Sequence, residues 1–201
     1  MKTSTILSLP ILAASAVTAQ TDPAESAPFL LKIANSANES LNGQYLYSCH
    51  AGAAIEGLCL SPSINSSYTL NTTNDLPYGT LIWKLPVNIN DTVQDVPSPL
   101  SLSYLPNSNV AIPLLSPGSY GNVDLGFSDE DKLYLHTSID DTKAVAGTSV
   151  PDGYYGDFRL SNWYACYAVV GGYYYHALAW VTSGTPSNPT CEAIEVVKED
   201  A

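Results

Sequence analysis

Charge is what this sequence has least of. Only 13% of its 201 residues are Asp, Glu, Lys or Arg, and seven of those are basic against nineteen acidic. A formal charge of −12 without a basic cluster excludes a nucleic-acid or anionic-lipid partner, since both are held by Lys and Arg. Beyond the first nineteen residues no apolar run approaches the roughly 20 residues that span a bilayer, which excludes a membrane-held chain. Catalytic signatures are missing too: there is no GxSxG elbow, no HExxH helix and no strand with closely spaced carboxylates. The three histidines, His50, His136 and His176, are scattered. None of the four cysteines is spaced for zinc, and no metal or cofactor is assigned.

What is present begins at the N-terminus. Lys2, an apolar stretch from Ile6 to Val17 and the small residues Val17-Thr18-Ala19 read as a signal peptide over residues 1–19, with a mature chain from Gln20. Loss of Lys2 takes the formal charge to −13, which suits a soluble protein in an acidic or calcium-containing exterior. Residues 20–27 are small and polar and read as a disordered leader; residues 28–201 make one domain. An oxidising compartment turns Cys49, Cys59, Cys166 and Cys191 into a disulfide framework. Of three connectivities, the favoured one is local, Cys49 with Cys59 and Cys166 with Cys191, because it closes short loops. Four sequons, at Asn38, Asn65, Asn71 and Asn90, offer glycosylation, all in the first half of the chain.

Short apolar runs cut by Pro, Gly, Asn and Ser have the period of strands. Nine are expected, near residues 29–34, 44–48, 68–71, 80–85, 100–104, 132–136, 163–170, 173–181 and 193–198. The fold class is therefore all-β, an antiparallel, jelly-roll-like β-sandwich with at most one short helix, a single turn within Ala51 to Leu58. Pro86, Pro97, Pro99, Pro106, Pro113 and Pro117 bar a long helix from the middle third. Gly171-Gly172 predicts a two-residue hairpin turn that sets Val170 opposite Tyr173, Tyr167 opposite His176 and Trp163 opposite Trp180. Neither face of that hairpin carries charge, so a central position between two layers is expected.

Half of the fourteen tyrosines lie between residues 154 and 180. Tyrosine is a good strand residue, yet its ring also stacks on sugars, and Tyr154, Tyr155, Tyr164, Tyr173 and Tyr175 are the candidate ligand-binding residues. Tyr154 and Tyr155 sit in a loop marked by Pro151-Asp152-Gly153 and Gly156. Asp124, Asp129 and Asp131, with Asp140-Asp141 beyond them, form a weak calcium candidate that lacks the EF-hand pattern; the favoured reading is a solvated acidic turn. His50 and Glu56, within one small disulfide loop, are the only acid-base pair the spacing suggests, and His176 reads as a packed histidine. No residue is assigned a catalytic role.

The run Leu41-Asn-Gly-Gln-Tyr-Leu-Tyr-Ser-Cys-His-Ala-Gly-Ala-Ala-Ile-Glu-Gly-Leu-Cys59, with Trp163-Tyr-Ala-Cys166, Leu178-Ala-Trp180 and Asn188-Pro-Thr-Cys191, resembles a group of small secreted proteins of filamentous fungi without an assigned activity. The resemblance spans most of the mature chain and implies fungal secretion and a β-rich fold. The functional expectation is a non-catalytic, monomeric extracellular protein of the cell wall or host interface, binding carbohydrate through its tyrosine-rich loops, with cell-wall polysaccharide or a host protein as partner. Its alternatives are a polysaccharide hydrolase with carboxylates from separate strands and an effector-like interaction module.

Overall fold

The computed structural model describes residues 24–73, 75–147 and 149–201, so the expected signal peptide lies outside the described residues. Fifteen strands follow in chain order: β1 (Ala24–Glu25), β2 (Phe29–Ala34), β3 (Tyr45–Gly52), β4 (Ile55–Ser61), β5 (Tyr68–Thr72), β6 (Tyr78–Ile89), β7 (Thr92–Ser103), β8 (Val110–Leu115), β9 (Asp124–Phe127), β10 (Leu133–Ile139), β11 (Tyr155–Leu160), β12 (Trp163–Val170), β13 (Tyr173–Val181), β14 (Glu192–Ala193) and β15 (Glu195–Asp200). Every pairing between them is antiparallel. Among the described residues no helix is long and apolar enough to cross a membrane.

The all-β expectation holds, but the sandwich becomes a closed barrel. Strands β2, β3, β4, β13, β8, β7, β6 and β5 form an eight-membered ring, closed where Phe29 of β2 pairs with Tyr68 of β5. The reason is β13, which meets β4 at Ala177 and Cys59 and then β8 at Trp180 and Ala111. β4 also pairs directly with β8, Glu56 opposite Leu115 and Gly57 opposite Leu114, so β13 and β4 together join what would have been two layers, and closure leaves no sheet edge between them. Leu31, Ile33, Leu46, Leu58, Leu81, Leu100, Leu115 and Leu178 fill the interior. Outside the ring, β9, β10 and β11 continue from β6, while β15 runs the full length of β2 and meets Lys132 at Val197. Leu125, Leu133, Ile194 and Val196 carry the same core into this outer part.

The hairpin register is as expected along its whole length, from Trp163 opposite Trp180 to Val170 opposite Tyr173. Gly171 and Gly172 both have positive φ, +59° and +108°. A side chain at Gly171 would also run into the carbonyl of Ala51, so the turn rests against the β3–β4 hairpin. Burial corrects the expected central position. Trp163, Ala165, Leu178 and Trp180 are in the core, but at the turn end Tyr167, Val169, Tyr173 and Tyr174 stand in solvent. Toward the turn the hairpin keeps only part of its surface covered: Val170 stays buried against Cys49 and Ala51 while these side chains face solvent.

Both disulfides follow the local pairing. Cys49–Cys59 bridges β3 and β4 and packs with Ala51, Val170 and Ala177; Cys166–Cys191 ties β12 to the segment before β14, beside Val110, Ala179 and Val181. The expected helical turn over Ala51 to Leu58 is strand instead. Gly52 pairs with Ile55 around Ala53-Ala54, and the disulfide loop is a β-hairpin, with Ala54 at φ +56°. The described helical structure is a single 3₁₀ turn, Asp141–Lys143, capped by the Asp140 side chain.

The prolines of the middle third interrupt less than the sequence suggests. Pro99, Pro97 and Pro86 pair with Ile82, Lys84 and Asp95, all in one alternating register, on the β6–β7 ribbon where each strand has a free edge beyond residues 83 and 100. Their missing N–H groups therefore leave the ladder intact. Residues 24–27, expected within a disordered leader, run along β5. Glu25 Oε1 lies 2.6 Å from Lys84 Nζ, and Ser26 bonds to both backbone groups of Leu70.

Candidate functional site

The tyrosines singled out from sequence fall into separate places. At the hairpin turn Tyr173 stacks on Tyr175 and meets the edge of the exposed His50 ring, and the Tyr175 hydroxyl donates to His50 O at 3.1 Å. Tyr164 is half-buried beside Cys191. Tyr154 and Tyr155 meet edge to face at the start of β11, opposite Ile139, with the Tyr154 hydroxyl donating to Asp141. That corner belongs with Trp180 and Ser183, around one cleft. Tyr173 is seven residues from Trp180 along an extended strand, roughly 23 Å. On the opposite hairpin face Tyr167, which is 48% exposed, stacks on His176 at 4.3 Å and on Tyr174 at 6.1 Å. Burial holds the His176 imidazole below its ordinary pKa, against a smaller upward pull from Glu192. His50 Nδ1 lies 3.6 Å from Glu56 Oε1, so the one pair suggested by spacing does meet, on an exposed hairpin.

A second constellation was invisible in the sequence. On the outer sheet Tyr78 and Tyr134 both sit opposite Gly126, Asp124 sits opposite His136, and His136 sits opposite Arg159. Directly opposed residues share a face, so one surface collects Tyr78, Asp124, Tyr134, His136 and Arg159 from four strands. His136 Nε2 is 2.9 Å from Asp157 Oδ1, and Arg159 lies over the Tyr134 ring. Burial raises the Tyr134 phenol pKa, and its hydroxyl donates to Pro77 O at 3.3 Å. These residues come from β6, β9, β10 and β11, spread over 80 positions, which is why no motif announced them.

Two adjoining clefts, of about 380 and 430 Å³, flank this surface and share Thr80, Tyr120 and Asp124. Tyr120 is 97% exposed and divides them. Its loop is pinned on both sides. The Asn122 side chain bonds the N–H and C=O of Leu102 at 2.7 and 3.0 Å, Ser119 Oγ donates to Ser116 O at 3.1 Å, and Gly121, at φ +66°, comes close to Leu100 O. Hydroxyls and amides, among them Asn71, Thr73, Asn122, Thr137 and Ser138, share the cleft walls with apolar groups, and in the second cleft Leu76, Tyr78, Ile82 and Pro99 predominate. Among the described residues Asn71 Oδ1 is buried without a hydrogen-bond partner. Asp124 is the only carboxylate lining either cleft among the described residues.

The calcium candidates do not converge. Asp129 and Asp131 sit at the β9–β10 turn, where Asp131 pairs with Lys198 at 3.0 Å, whereas Asp124 is at the far end of β9, opposite His136. Among the described residues no three His, Cys, Asp or Glu side chains gather as a metal site would require. Of the sequon asparagines, Asn65 and Asn90 are exposed; Asn38 and Asn71 are half-buried, Asn38 donating to Glu192 at 3.2 Å.

A family model described as a domain of unknown function, DUF7907, matches residues 26–200, essentially the whole described chain. No curated protein and no solved structure matches it.

Proposed function

The chain belongs to the DUF7907 family, a domain of unknown function, and we propose that it is a secreted, non-catalytic extracellular protein of the cell wall or host interface that holds carbohydrate in the groove beneath Tyr120. The observation that carries this reading is the nearly naked Tyr120 ring, on a loop pinned by Asn122 and Ser119, between two clefts whose walls mix polar and apolar groups. A pyranose offers an apolar face to such a ring and hydroxyls to such walls, and pinning beforehand lowers the entropy cost of binding. Two disulfides, typical of extracellular proteins, support secretion. The lone carboxylate in the clefts favours holding over hydrolysis, since glycoside cleavage needs two. Pull-downs on chitin, glucan and mannan test the reading. Binding to one of them that Tyr120→Ala abolishes supports it; no binding to any of them sinks it.

The hairpin turn supports a second reading, an interaction surface for a protein. Tyr167, Val169, Tyr173 and Tyr174 form an exposed aromatic tip, rigid and low in side-chain entropy, of the kind that anchors interfaces. A glycan-negative protein whose partner binding is lost in a Tyr167→Ser, Tyr174→Ser variant would favour it.

A further inference from the structure

The outer sheet has a second face, and it is apolar. Leu135 and Leu160 are directly opposed across β10 and β11, as are Thr137 and Phe158, and these side chains point away from the His136 surface. With Val123, Ile139, Tyr104 and Trp180 they line a cleft of about 980 Å³ at the barrel mouth, between β10–β11 and the ends of β13 and β7. That volume is at the upper end for small-molecule sites, which also favour barrel mouths. Among the described residues nothing covers this surface. Trp180 is in the core, but Val123 and Leu135 are only partly buried, and Tyr104, Ile139 and Leu160 are exposed.

The polar part of the rim decides what fits. Asp140, Asp141, Thr142, Asn162, Thr182 and Ser183 complete the lining, and no Lys, Arg or His is among the lining residues. Asp140 is held ionised: Thr142 donates to its Oδ1 from both N–H and hydroxyl, and this keeps its carboxyl below the usual range. Asp141 Oδ1 accepts from the Tyr154 hydroxyl at 3.4 Å. In both residues the Oδ2 oxygen receives no protein hydrogen bond among the described residues. Asp140 already takes two bonds from Thr142, whereas the one side-chain bond to Asp141 among the described residues is the 3.4 Å one from Tyr154, which places a cationic head at Asp141. Tyr104 and Trp180 add ring faces, which attract cations as well as apolar carbon.

We infer that the barrel-mouth cleft is a binding site for a cationic amphiphile, with an apolar body on Leu135, Phe158, Leu160 and Trp180 and an ammonium head at Asp141. This goes beyond the glycan reading and does not depend on it. Three probes with the same eight-carbon tail test it on the full chain by titration calorimetry: octyltrimethylammonium, octanoate and octyl glucoside. Saturable binding of octyltrimethylammonium at least tenfold tighter than octanoate is expected, with octyl glucoside between them. Asp141→Asn should reduce that preference to threefold or less while leaving octyl glucoside unchanged, and Leu160→Gln should weaken all three. Both positions are exposed, and an unchanged melting temperature confirms the fold. Absence of saturable octyltrimethylammonium binding, octanoate binding as tightly, or an Asp141→Asn preference equal to that of the parent overturns the assignment.

Discussion

The imidazole of His136 lies flat on the ring of Tyr78, 3.5 Å between centroids and 8° from parallel. The two residues are on β10 and β6, and they meet across β9 because Gly126 puts no side chain between them. A Cβ at Gly126 would come within 2.5 Å of the Tyr134 ring, which fills the remaining space.

Gly126→Ala is therefore expected to displace Tyr134 and open the stack, at a cost on the order of 1–3 kcal/mol, typical of overpacking a tight site. Urea unfolding gives the cost, and the chemical shifts of the His136 ring report the stack. An unchanged His136 ring environment would show that the stack does not need the glycine.

The Asn71 sequon competes with the proposed ligand, because Asn71 and Thr73 both line the cleft beside Tyr120. Thr73→Ala removes the sequon and keeps Asn71. Protein from a glycosylating host is expected to carry glycan at the exposed Asn65 and Asn90 and none at Asn71, and Thr73→Ala, which also removes a hydroxyl from the cleft wall, is expected to weaken glycan pull-down. Intact-mass and peptide mapping check the occupancy.

Removing the disulfides should cost unequal amounts. The Cys166–Cys191 bridge closes 25 residues and the Cys49–Cys59 bridge 10. Loop-closure entropy then assigns about 3.5 kcal/mol to the first and about 2.7 kcal/mol to the second. Guanidinium unfolding of the two double-serine variants measures the order, and a reversed order would show that native packing outweighs chain entropy here.

Acid should loosen the hairpin before it unfolds the barrel. Burial holds His176 below its ordinary 6.5, so the unfolded chain takes up a proton that the folded chain resists. Stability is then full above about pH 6.5 and falls as pH drops through the folded pKa, by a small amount for this partly exposed ring. Glu199 and Glu195 are lowered by hydrogen bonds from Lys32 and Asn35 and add a later loss, below the usual carboxylate range. His176→Gln should remove the first step and keep the second, as read by thermal melts between pH 7 and 3.

Trp163→Phe is expected to destabilise by about 1–3 kcal/mol, since the Trp163 indole N–H donates to Leu133 O at 3.0 Å in the core and would leave that carbonyl unpaired. Denaturant melts should show the full loss, because this bond joins the β12–β13 hairpin to the outer sheet.

Local features of this fold were legible in proportion to how local their causes are. Gly171-Gly172 sets a turn, and the period-2 pattern on either side then specifies every pair from Trp163–Trp180 to Val170–Tyr173. Proline was read too strongly: Pro86, Pro97 and Pro99 bar helix but not a strand with a free edge, so the long β6–β7 ribbon was cut short and β8, with Pro113 inside it, was missed. Ala51 to Leu58 misled in another way, because Ala and Gly favour no period and the β3–β4 pairing is imposed by its neighbours.

What the amino-acid order determined by itself was the all-β class, the long hairpin and the local disulfide pairing, each governed by residues close in the chain. Only the tertiary structure decided that β13 bridges β4 and β8, that a barrel closes where a sandwich was expected, and that Tyr167, Val169, Tyr173 and Tyr174 of the hairpin face solvent. It alone brought Tyr78, Asp124, His136, Asp157 and Tyr120 to one surface. Pairings such as Phe29 with Tyr68 and Tyr78 with Gly126 link segments tens of residues apart, and their free energy comes from shared burial that no single stretch encodes.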